Sequence, residues 1–304
     1  MKTILVTGSN GLLGQKITSL ILSSGRASLI ATSKGQNRHP EKQGYTYIEM
    51  DLSNENDIAG VFRSVNPDVV INTAALTNVD VCETEREQCR LINTDAVKTL
   101  ALLCGETGAH LIHLSTDFVF DGKEGPYRED AQPNPLSFYG RSKADAEDYL
   151  KSSSCRWTII RTILVYGITG DMSRSNFVLW AKSSLEKNKN ISVVNDQWRM
   201  PTLAEDLAEA CLRVAEKGVT GILHISGGDM KSIHELVLEV ADYWKLDKTL
   251  IEPVSSETLN QSAVRPERTG FILDRARQEL NYHPRSFREG LKLLDLQMQS
   301  VKKM

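Results

Sequence analysis

The sequence has little of what metal centres, disulfide frameworks, nucleic-acid surfaces and membrane spans require. Five cysteines in 304 residues include no CxxC pair and no metal-type spacing, and six histidines form no HExxH-like cluster. Reduced thiols and no metal are therefore expected. A net charge of −3 gives no basic footprint for nucleic acid. No apolar run approaches the ~20 residues of a membrane span, and the first is too short for a signal peptide. We therefore expect a cytoplasmic protein with no membrane partner.

What is present is a regular alternation of short apolar runs and longer helical patterns. Runs rich in Ile, Val and Leu predict strands over 3–7, 28–32, 46–50, 68–73, 110–115 and 158–163. Several are apolar nearly throughout, which is typical of parallel strands covered on both faces. Helices are predicted between them, over 11–24, 55–65, 86–107 and 139–151. Strand alternating with helix implies right-handed crossovers and a doubly wound, Rossmann-type α/β sheet.

The second half of the chain has a less regular pattern. It predicts a helix near 203–217, a strand over 220–226, and an amphipathic helix over 286–300. Ser232 and Glu235 have the spacing of a capping box, which marks another helix start. No linker separates the halves, so we expect them to pack together. We predict a dinucleotide-binding domain over 1–167, to which segments near 191–226 return, and a smaller, mixed substrate-binding region mainly over 168–304.

The stretch "TGSNGLLG" has the pattern of a phosphate cradle. It follows the first strand and opens the first helix, and glycines at such a turn let the backbone approach a pyrophosphate closely. The helix N-terminus then offers free N–H groups and a positive dipole end. The candidate cofactor-binding residues here are Gly8, Asn10, Gly11, Leu12, Leu13 and Gly14.

The end of the second strand indicates which dinucleotide is bound. An NAD site carries an acid near this point, whereas this chain reads "ATSKGQNR" with no Asp or Glu. Thr32, Ser33, Lys34 and Arg38 supply hydroxyls and cations that suit a 2′-phosphate. NADP is therefore the predicted cofactor, with NADH as a second candidate. Asp51 and Leu52, after the third strand, are expected to cover the adenine.

A threonine, a tyrosine and a lysine form the candidate reacting centre. Tyr139 and Lys143 are spaced i, i+4, which places them on one face of a helix. An ammonium beside a phenol lowers the phenol pKa, so that the tyrosine can exchange a proton near neutral pH. Thr116 ends the fifth strand, at the edge where open parallel sheets bind ligands. Thr116 and Tyr139 are therefore predicted to bind and protonate a carbonyl oxygen. Lys143 is expected to hold the ribose as well, and Tyr139 and Lys143 are also candidate cofactor-binding residues.

At these residues the chain resembles the extended short-chain dehydrogenases/reductases and, within them, the dTDP-4-dehydrorhamnose reductases. The matching segments run in order along nearly the whole chain: "TGSNGLLG", "INTAALTNVD", "LSTDFVFDG", "PYREDAQPNPLSFYGRSKADAE", "RTILVYG", "DQWRMPT" and "RPERTG". The resemblance implies that Thr116, Tyr139 and Lys143 are catalytic and that Asp117 contacts a nucleotide-sugar substrate. It also implies cofactor contacts at Gly11 to Leu13, at Asp51 and Leu52, and at Ala74, Ala75 and Leu76.

The chain departs from this family pattern at three places. Phe118 stands where the family usually has tyrosine, and Leu164 where it usually has tryptophan. The "DQ" segment usually continues with a glycine, but here it continues with Trp198, Arg199 and Met200. The catalytic residues are intact and the sugar pocket is altered, so a related nucleotide sugar is also a candidate substrate.

Several roles remain open from the sequence. Arg265 suits a pyrophosphate, because its fork matches phosphate geometry, but a surface salt bridge is equally consistent. Asn176 either contacts substrate or caps a helix. Trp198 and Arg199 either stack on a base or sugar, pack the loop, or form a subunit contact, and a homodimer is a candidate assembly.

Three functions fit these features. The first is NADPH-dependent reduction of the 4-keto group of a dTDP-4-keto-6-deoxy sugar, with Tyr139 as proton donor. The second is a nucleotide-sugar epimerase or dehydratase, although the dehydratases resemble a pattern with an Asp–Glu pair after the threonine, and here Phe118 follows Asp117. The third is a non-catalytic dinucleotide-binding subunit, because the chain also resembles the regulatory beta subunit of methionine adenosyltransferase.

Overall fold

The structure, a computed structural model, describes residues 1–170, 176–259 and 261–301. The strands are β1 (Thr3–Thr7), β2 (Ser28–Ser33), β3 (Thr46–Glu49), β4 (Val69–Asn72), β5 (His110–Thr116), β6 (Arg156–Thr162), β7 (Val165–Tyr166), β8 (Ile191–Val194), β9 (Trp198–Arg199), β10 (Thr202–Leu203), β11 (Gly221–Ile225), β12 (Lys231–Ser232) and β13 (Ile251–Val254). A seven-stranded parallel sheet has the order β11-β6-β5-β4-β1-β2-β3. The predicted doubly wound α/β fold is confirmed.

Helices cover both faces of this sheet and build most of the second half. They are α1 (Leu12–Ser24), α2 (Glu55–Val65), α3 (Val79–Thr84), α4 (Arg86–Arg90), α5 (Ala96–Thr107), α6 (Phe138–Ser152), α7 (Phe177–Glu186), α8 (Ala204–Lys217), α9 (Ile233–Trp244), α10 (Asp274–Leu280) and α11 (Phe287–Val301). One apolar core lies between the sheet and α1 and α8, and a second between the sheet and α2, α5 and α6. A third joins α7, α9 and α11.

The predicted helix over 86–107 is interrupted. A π-helical turn, Leu91–Asp95, separates α4 from α5, and α3 precedes both. The Asn93 side chain lies in this turn and is fully buried. Its Nδ2 donates to the Leu76 carbonyl at 3.0 Å and to Ser142 Oγ at 3.1 Å, and its Oδ1 accepts from the Leu76 N–H at 2.8 Å. It thereby ties the loop after β4 to α6.

The second half reaches the sheet through one strand. β11 pairs with β6. Residues 191–194 also lie in the range that is expected to return to the first domain, but they pair with β13 in a separate small sheet. The division into two domains itself stays a prediction. The capping box at the start of α9 is present, with Glu235 N–H donating to Ser232 Oγ at 3.1 Å. In the described part of the chain no helix is long and apolar enough to cross a membrane.

Candidate active site

The phosphate cradle lies where β1 gives way to α1. Gly8 has a φ of 67°, and a Cβ on it would lie 2.8 Å from the Ala74 backbone. A Cβ on Gly14 would collide with the Gly8 carbonyl oxygen. The first helical bond runs from Gln15 N–H to the Gly11 carbonyl at 2.9 Å, so the amides of residues 12–14 precede it at the helix end that lines the cavity. This close backbone and its free donors fit a pyrophosphate.

The ribose end of the site carries both a cation and an acid. Lys34 is exposed, and its Nζ lies 2.7 Å from Asp51 Oδ2. The hydrogen bond from Lys34, followed by the Ser53 N–H, lowers the pKa of Asp51 to about 2. β2 does not end in an acid. Asp51, which follows the neighbouring strand β3, nevertheless brings a carboxylate to the same edge of the sheet. Thr32, Ser33, Lys34, Asp51 and Leu52 all line the cavity.

Two residues of this region that are predicted to bind the cofactor, Arg38 and Asn10, do not line the cavity. Arg38 is exposed and does not line the cavity. Asn10 is buried and fixes the following loop, because its Nδ2 donates to the Gln36 carbonyl at 2.9 Å and its Oδ1 accepts from the Arg38 N–H at 2.8 Å. The structure thus gives both residues a role in the loop after β2.

The predicted reacting residues converge at the carboxyl edge of the sheet. Thr116 ends β5, and Tyr139 and Lys143 lie one turn apart on α6; all three are buried. The Thr116 hydroxyl donates to Asp117 Oδ1 at 3.1 Å and accepts from the Phe118 N–H at 3.2 Å. Gly140 lets α6 approach the end of β5 closely, because a Cβ there would collide with the Phe118 carbonyl oxygen. Phe118 packs edge-on against the Tyr139 ring, with 5.8 Å between the centroids.

The expected lowering of the Tyr139 pKa is wrong for this structure. Burial raises the pKa of the phenol, the nearby Thr116 hydroxyl opposes this, and the Asp117 carboxylate adds to it. The Lys143 ammonium bonds to His113 Nε2 at 3.0 Å, not to the phenol. A raised pKa keeps the phenol protonated, which is the state that a proton donor requires.

A buried polar chain holds Lys143. His113 lies between Lys143 and Asn72: its Nε2 is 3.0 Å from Lys143 Nζ, and its Nδ1 is 3.1 Å from Asn72 Nδ2. Asn72 Oδ1 in turn accepts from Thr7 Oγ1 at 2.6 Å. Burial lowers the pKa of His113 well below its ordinary value, so the imidazole is neutral and can accept. The side chains of Thr7, Asn72 and His113 thus hold the Lys143 amine in place at the edge of the sheet.

The far end of the cavity belongs to the second half of the chain. Arg265 lines it and pairs with Asp80, with Nη2 2.6 Å from Oδ2. Asn176 also lines it, but its Oδ1 caps α7 and its Nδ2 donates to the Gly167 carbonyl at 2.7 Å. Leu164 has a φ of 40°, a left-handed backbone that is strained for leucine. The cradle, the reacting residues and this end form one cavity of ≈ 880 Å³, within the size range of ligand sites.

Comparisons with known proteins agree with this geometry. The family model described as "RmlD substrate binding domain" matches residues 1–299. The chain is 30% identical to a dTDP-4-dehydrorhamnose reductase of Aggregatibacter actinomycetemcomitans, over 96% of this chain and 98% of the relative. It belongs to the dTDP-4-dehydrorhamnose reductase family. This family lies within the extended short-chain dehydrogenases/reductases, so the predicted membership of an NAD(P)-dependent oxidoreductase family is confirmed.

Other relatives of this reductase family carry different names. A spore coat polysaccharide biosynthesis protein of Bacillus subtilis is 33% identical over 96% of each chain. A methionine adenosyltransferase 2 subunit beta of Xenopus laevis is 29% identical over 83% of this chain and 75% of the relative.

A solved dTDP-4-dehydrorhamnose reductase of Bacillus anthracis, in complex with NADP, is 27% identical with a TM-score of 0.83, over 97% of this chain and 99% of that one.

Most site residues predicted for this reductase-family chain line the cavity. Ala74 and Ala75 do so, whereas Leu76 faces Asn93 and does not. Asp117 lies beside Thr116 but is 2% exposed and already bonded within the protein. Sequence reasoning missed the following lining residues: Met50, Thr73, Thr77, Val79, Ile92, Leu114, Ser115, Thr162, Val165, Phe177, Gln197, Leu207 and Ile233. Most of these residues are apolar or lie at strand ends, and no sequence motif distinguishes them from residues of the apolar core.

Lys143 gives a testable pH dependence. Burial lowers the pKa of its ammonium to about 8, with Glu147 and Cys89 opposing this. The charged form is therefore present below about pH 8 and is lost as pH rises through that value. We expect the affinity for NADPH to fall above about pH 8, because the ammonium is lost as a donor. Dissociation constants measured from pH 6 to 10 check this.

A control separates Lys143 from the nearby thiol. Cys82, followed by Ser142 and Asn93, lowers the pKa of the Cys89 thiol, so Cys89 is a second group near Lys143 whose pKa moves toward neutral pH. Cys89→Ala should keep the alkaline fall in affinity if Lys143 causes it. An affinity that stays constant to pH 10 would contradict the assignment.

Proposed function

We propose that this protein reduces the 4-keto group of a dTDP-4-keto-6-deoxy sugar with NADPH, and that Tyr139 donates the proton. The observation that carries this is the convergence of Thr116, Tyr139 and Lys143 in the same cavity as the glycine cradle. NADPH, when bound, supplies the hydride. We place the reaction in the cytoplasm and take a homodimer as a candidate assembly.

The residues of the chain supply the remaining steps. Tyr139 is held neutral by burial and gives its proton only when negative charge develops on the carbonyl oxygen. Thr116, whose hydroxyl is held by Asp117, lines the same cavity as the phenol and helps to bind the carbonyl oxygen. Lys143, held by His113, keeps a positive charge beside the ribose and the developing alkoxide. Leu12, Leu13 and Gly14 offer their amides to the pyrophosphate.

The remaining assignments are parts of the same proposal. Arg265 lies at the far end of the cavity, where its guanidinium can approach the diphosphate of the sugar nucleotide. Phe118, which carries no acid or base, favours simple reduction over a dehydratase or epimerase reaction. Leu164, in place of an indole, removes a broad apolar face and a donor, and leaves room for a differently substituted sugar.

A panel of keto nucleotide sugars, assayed by NADPH absorbance, tests the reaction. We expect turnover with dTDP-4-keto-6-deoxy-L-lyxo-hexulose, at lower efficiency than for a family member that carries the tryptophan. The similarity to a methionine adenosyltransferase beta subunit supports the second candidate, a dinucleotide-binding regulatory subunit. Tight NADPH binding without turnover on any panel member would favour that second candidate.

Lys34 gives a test of cofactor choice. NADPH should bind more tightly than NADH, because Lys34 and the Ser33 hydroxyl line the cavity at the expected 2′-phosphate position. Lys34→Asp would add a second carboxylate beside Asp51 and should weaken NADPH binding roughly tenfold or more, while NADH changes little, since hydrogen bonds to charged groups contribute about 1.5–3 kcal/mol. Dissociation constants for both cofactors at one salt concentration measure this.

The matched control is Lys42→Asp, which makes the same charge change at an exposed lysine that does not line the cavity. It should leave the NADPH/NADH ratio unchanged. An equal effect of Lys34→Asp on the two cofactors would overturn the assignment of Lys34 to the 2′-phosphate.

A further inference from the structure

A buried arginine lies at the substrate end of the cavity, in the segment that departs from the family pattern. Arg199 is 3% exposed and lines the cavity beside Asp117 and Phe118. Its guanidinium carbon lies 5.8 Å from the centre of the Phe118 ring. A buried cation requires compensation, so its partners indicate what it does.

Arg199 has two kinds of partner. Nη1 donates to the carbonyls of Trp198 at 2.8 Å and Glu267 at 3.1 Å, and Nη2 donates to the Pro266 carbonyl at 2.6 Å. These bonds join β9 to the 266–267 segment. Its one charged partner among the described residues is Asp117, whose Oδ2 lies 3.7 Å from Nε. The carbonyls use its donors, and Asp117 balances its charge.

Asp117 connects this arginine to the reacting centre. Its Oδ1 accepts from Thr116 Oγ1 at 3.1 Å, and its Oδ2 accepts from Thr269 Oγ1. Burial raises the pKa of Asp117, and the Arg199 charge is the largest influence that lowers it. Thr116 donates its proton to Asp117, and its oxygen accepts from the Phe118 N–H at 3.2 Å. The Asp117 carboxylate thus fixes the direction of the Thr116 hydroxyl, in the cavity that Tyr139 also lines.

We propose that Arg199 is a positioning residue of the reaction, which keeps Asp117 ionised and so keeps the Thr116 hydroxyl donating to Asp117. This rests on the proposed function for its effect on turnover. The charge pair itself does not depend on the substrate. If Asp117 became neutral, it could donate its own proton to Thr116, and the Thr116 hydroxyl would no longer point in one fixed direction.

Other charged groups near Asp117 do not replace Arg199. Tyr139, from α6, is neutral. Arg265 lies close enough to lower the pKa of Arg199, but it is itself paired with Asp80 at 2.6 Å. The remaining direct partners, Thr116 from β5 and Thr269, carry no charge. The ionisation of Asp117 therefore depends on Arg199.

Two variants of Arg199 test the proposal. Arg199→Gln keeps a side-chain amide that can donate to the carbonyls but removes the charge, whereas Arg199→Lys keeps the charge with fewer donors. Titration of the Asp117 carboxylate is read by infrared difference spectroscopy, with Asp117→Asn to assign the band. In Arg199→Gln the titration should move upward by about 1–3 pH units, which is the effect of one nearby opposite charge. In Arg199→Lys it should stay near wild type.

Turnover gives the second readout. The acid limb of kcat/KM should move upward with the carboxylate in Arg199→Gln, and Arg199→Lys should restore its position. Equal carboxylate titrations in the two variants would overturn the proposal and leave Arg199 as a structural clamp. If the carboxylate shifts but no panel sugar turns over, the charge pair stands and the proposed reaction fails. If the Asp117 titration shifts but the acid limb of the kcat/KM profile of an active enzyme does not, Arg199 is not a positioning residue of the reaction.

Discussion

Tyr139→Phe should lower turnover on the true substrate by about 10²–10⁴-fold, the usual loss when a general acid is removed. The substitution keeps the ring that packs against Phe118 and removes only the phenol hydroxyl. Other residues form the phosphate cradle, so NADPH binding should change little. Steady-state kinetics and an NADPH dissociation constant, measured on the same preparation, give both quantities.

Tyr149→Phe is the matched control for this experiment. Tyr149 lies ten residues further along α6, and its ring packs in the core beneath the sheet. The same chemical change there should leave turnover close to wild type. Wild-type turnover in Tyr139→Phe would show that another group donates the proton.

The central sheet was predictable because both of its faces are covered. Runs such as "DVVINT" are apolar nearly throughout. The strand bounds predicted from them, such as 68–73 for β4, agree with the observed bounds to within about two residues. The two-residue strands of the second half carry no such pattern. β9 is held by pairing with β12 and by a bridge from Trp198 to Arg268, contacts that depend on residues distant along the chain.

The reacting centre was predictable as a set of residues, but its electrostatics were not. The i, i+4 spacing correctly brings Tyr139 and Lys143 together on α6. It gives no information on the depth at which the pair lies, and burial decides the direction of the Tyr139 pKa. His113, which holds Lys143, reads in the sequence as an ordinary residue of an apolar strand. Its role appears only when β5 and α6 pack together.

The second large effect is expected at a buried ion pair beneath the catalytic helix. Glu147 lies one turn after Lys143 on α6 and is fully buried. Arg161 Nη2 lies 2.6 Å from Glu147 Oε2, and Arg161 Nε lies 3.0 Å from Oε1. Ser115 Oγ also donates to Oε1, at 2.6 Å. These bonds anchor α6 to β5 and β6, directly beneath the reacting residues.

Glu147→Ala should destabilise the protein by about 3–5 kcal/mol, because it leaves the Arg161 guanidinium buried without its carboxylate. At about 2–4 °C per kcal/mol, Tm should fall by roughly 6–20 °C. Thermal unfolding followed by circular dichroism measures this. The control is Arg277→Ala, which breaks an ion pair with Asp274 whose side chains are 51% and 55% exposed, and which should cost at most about 1 kcal/mol.

A double variant separates the charge from the packing. Glu147→Leu combined with Arg161→Met removes both charges and keeps apolar volume, so it should recover most of the stability that Glu147→Ala loses. Because Tyr139 and Lys143 lie on the same helix, turnover should fall with the stability of α6 in Glu147→Ala and recover in the double variant. If Glu147→Ala unfolds at the same temperature as Arg277→Ala, the ion pair does not anchor the helix.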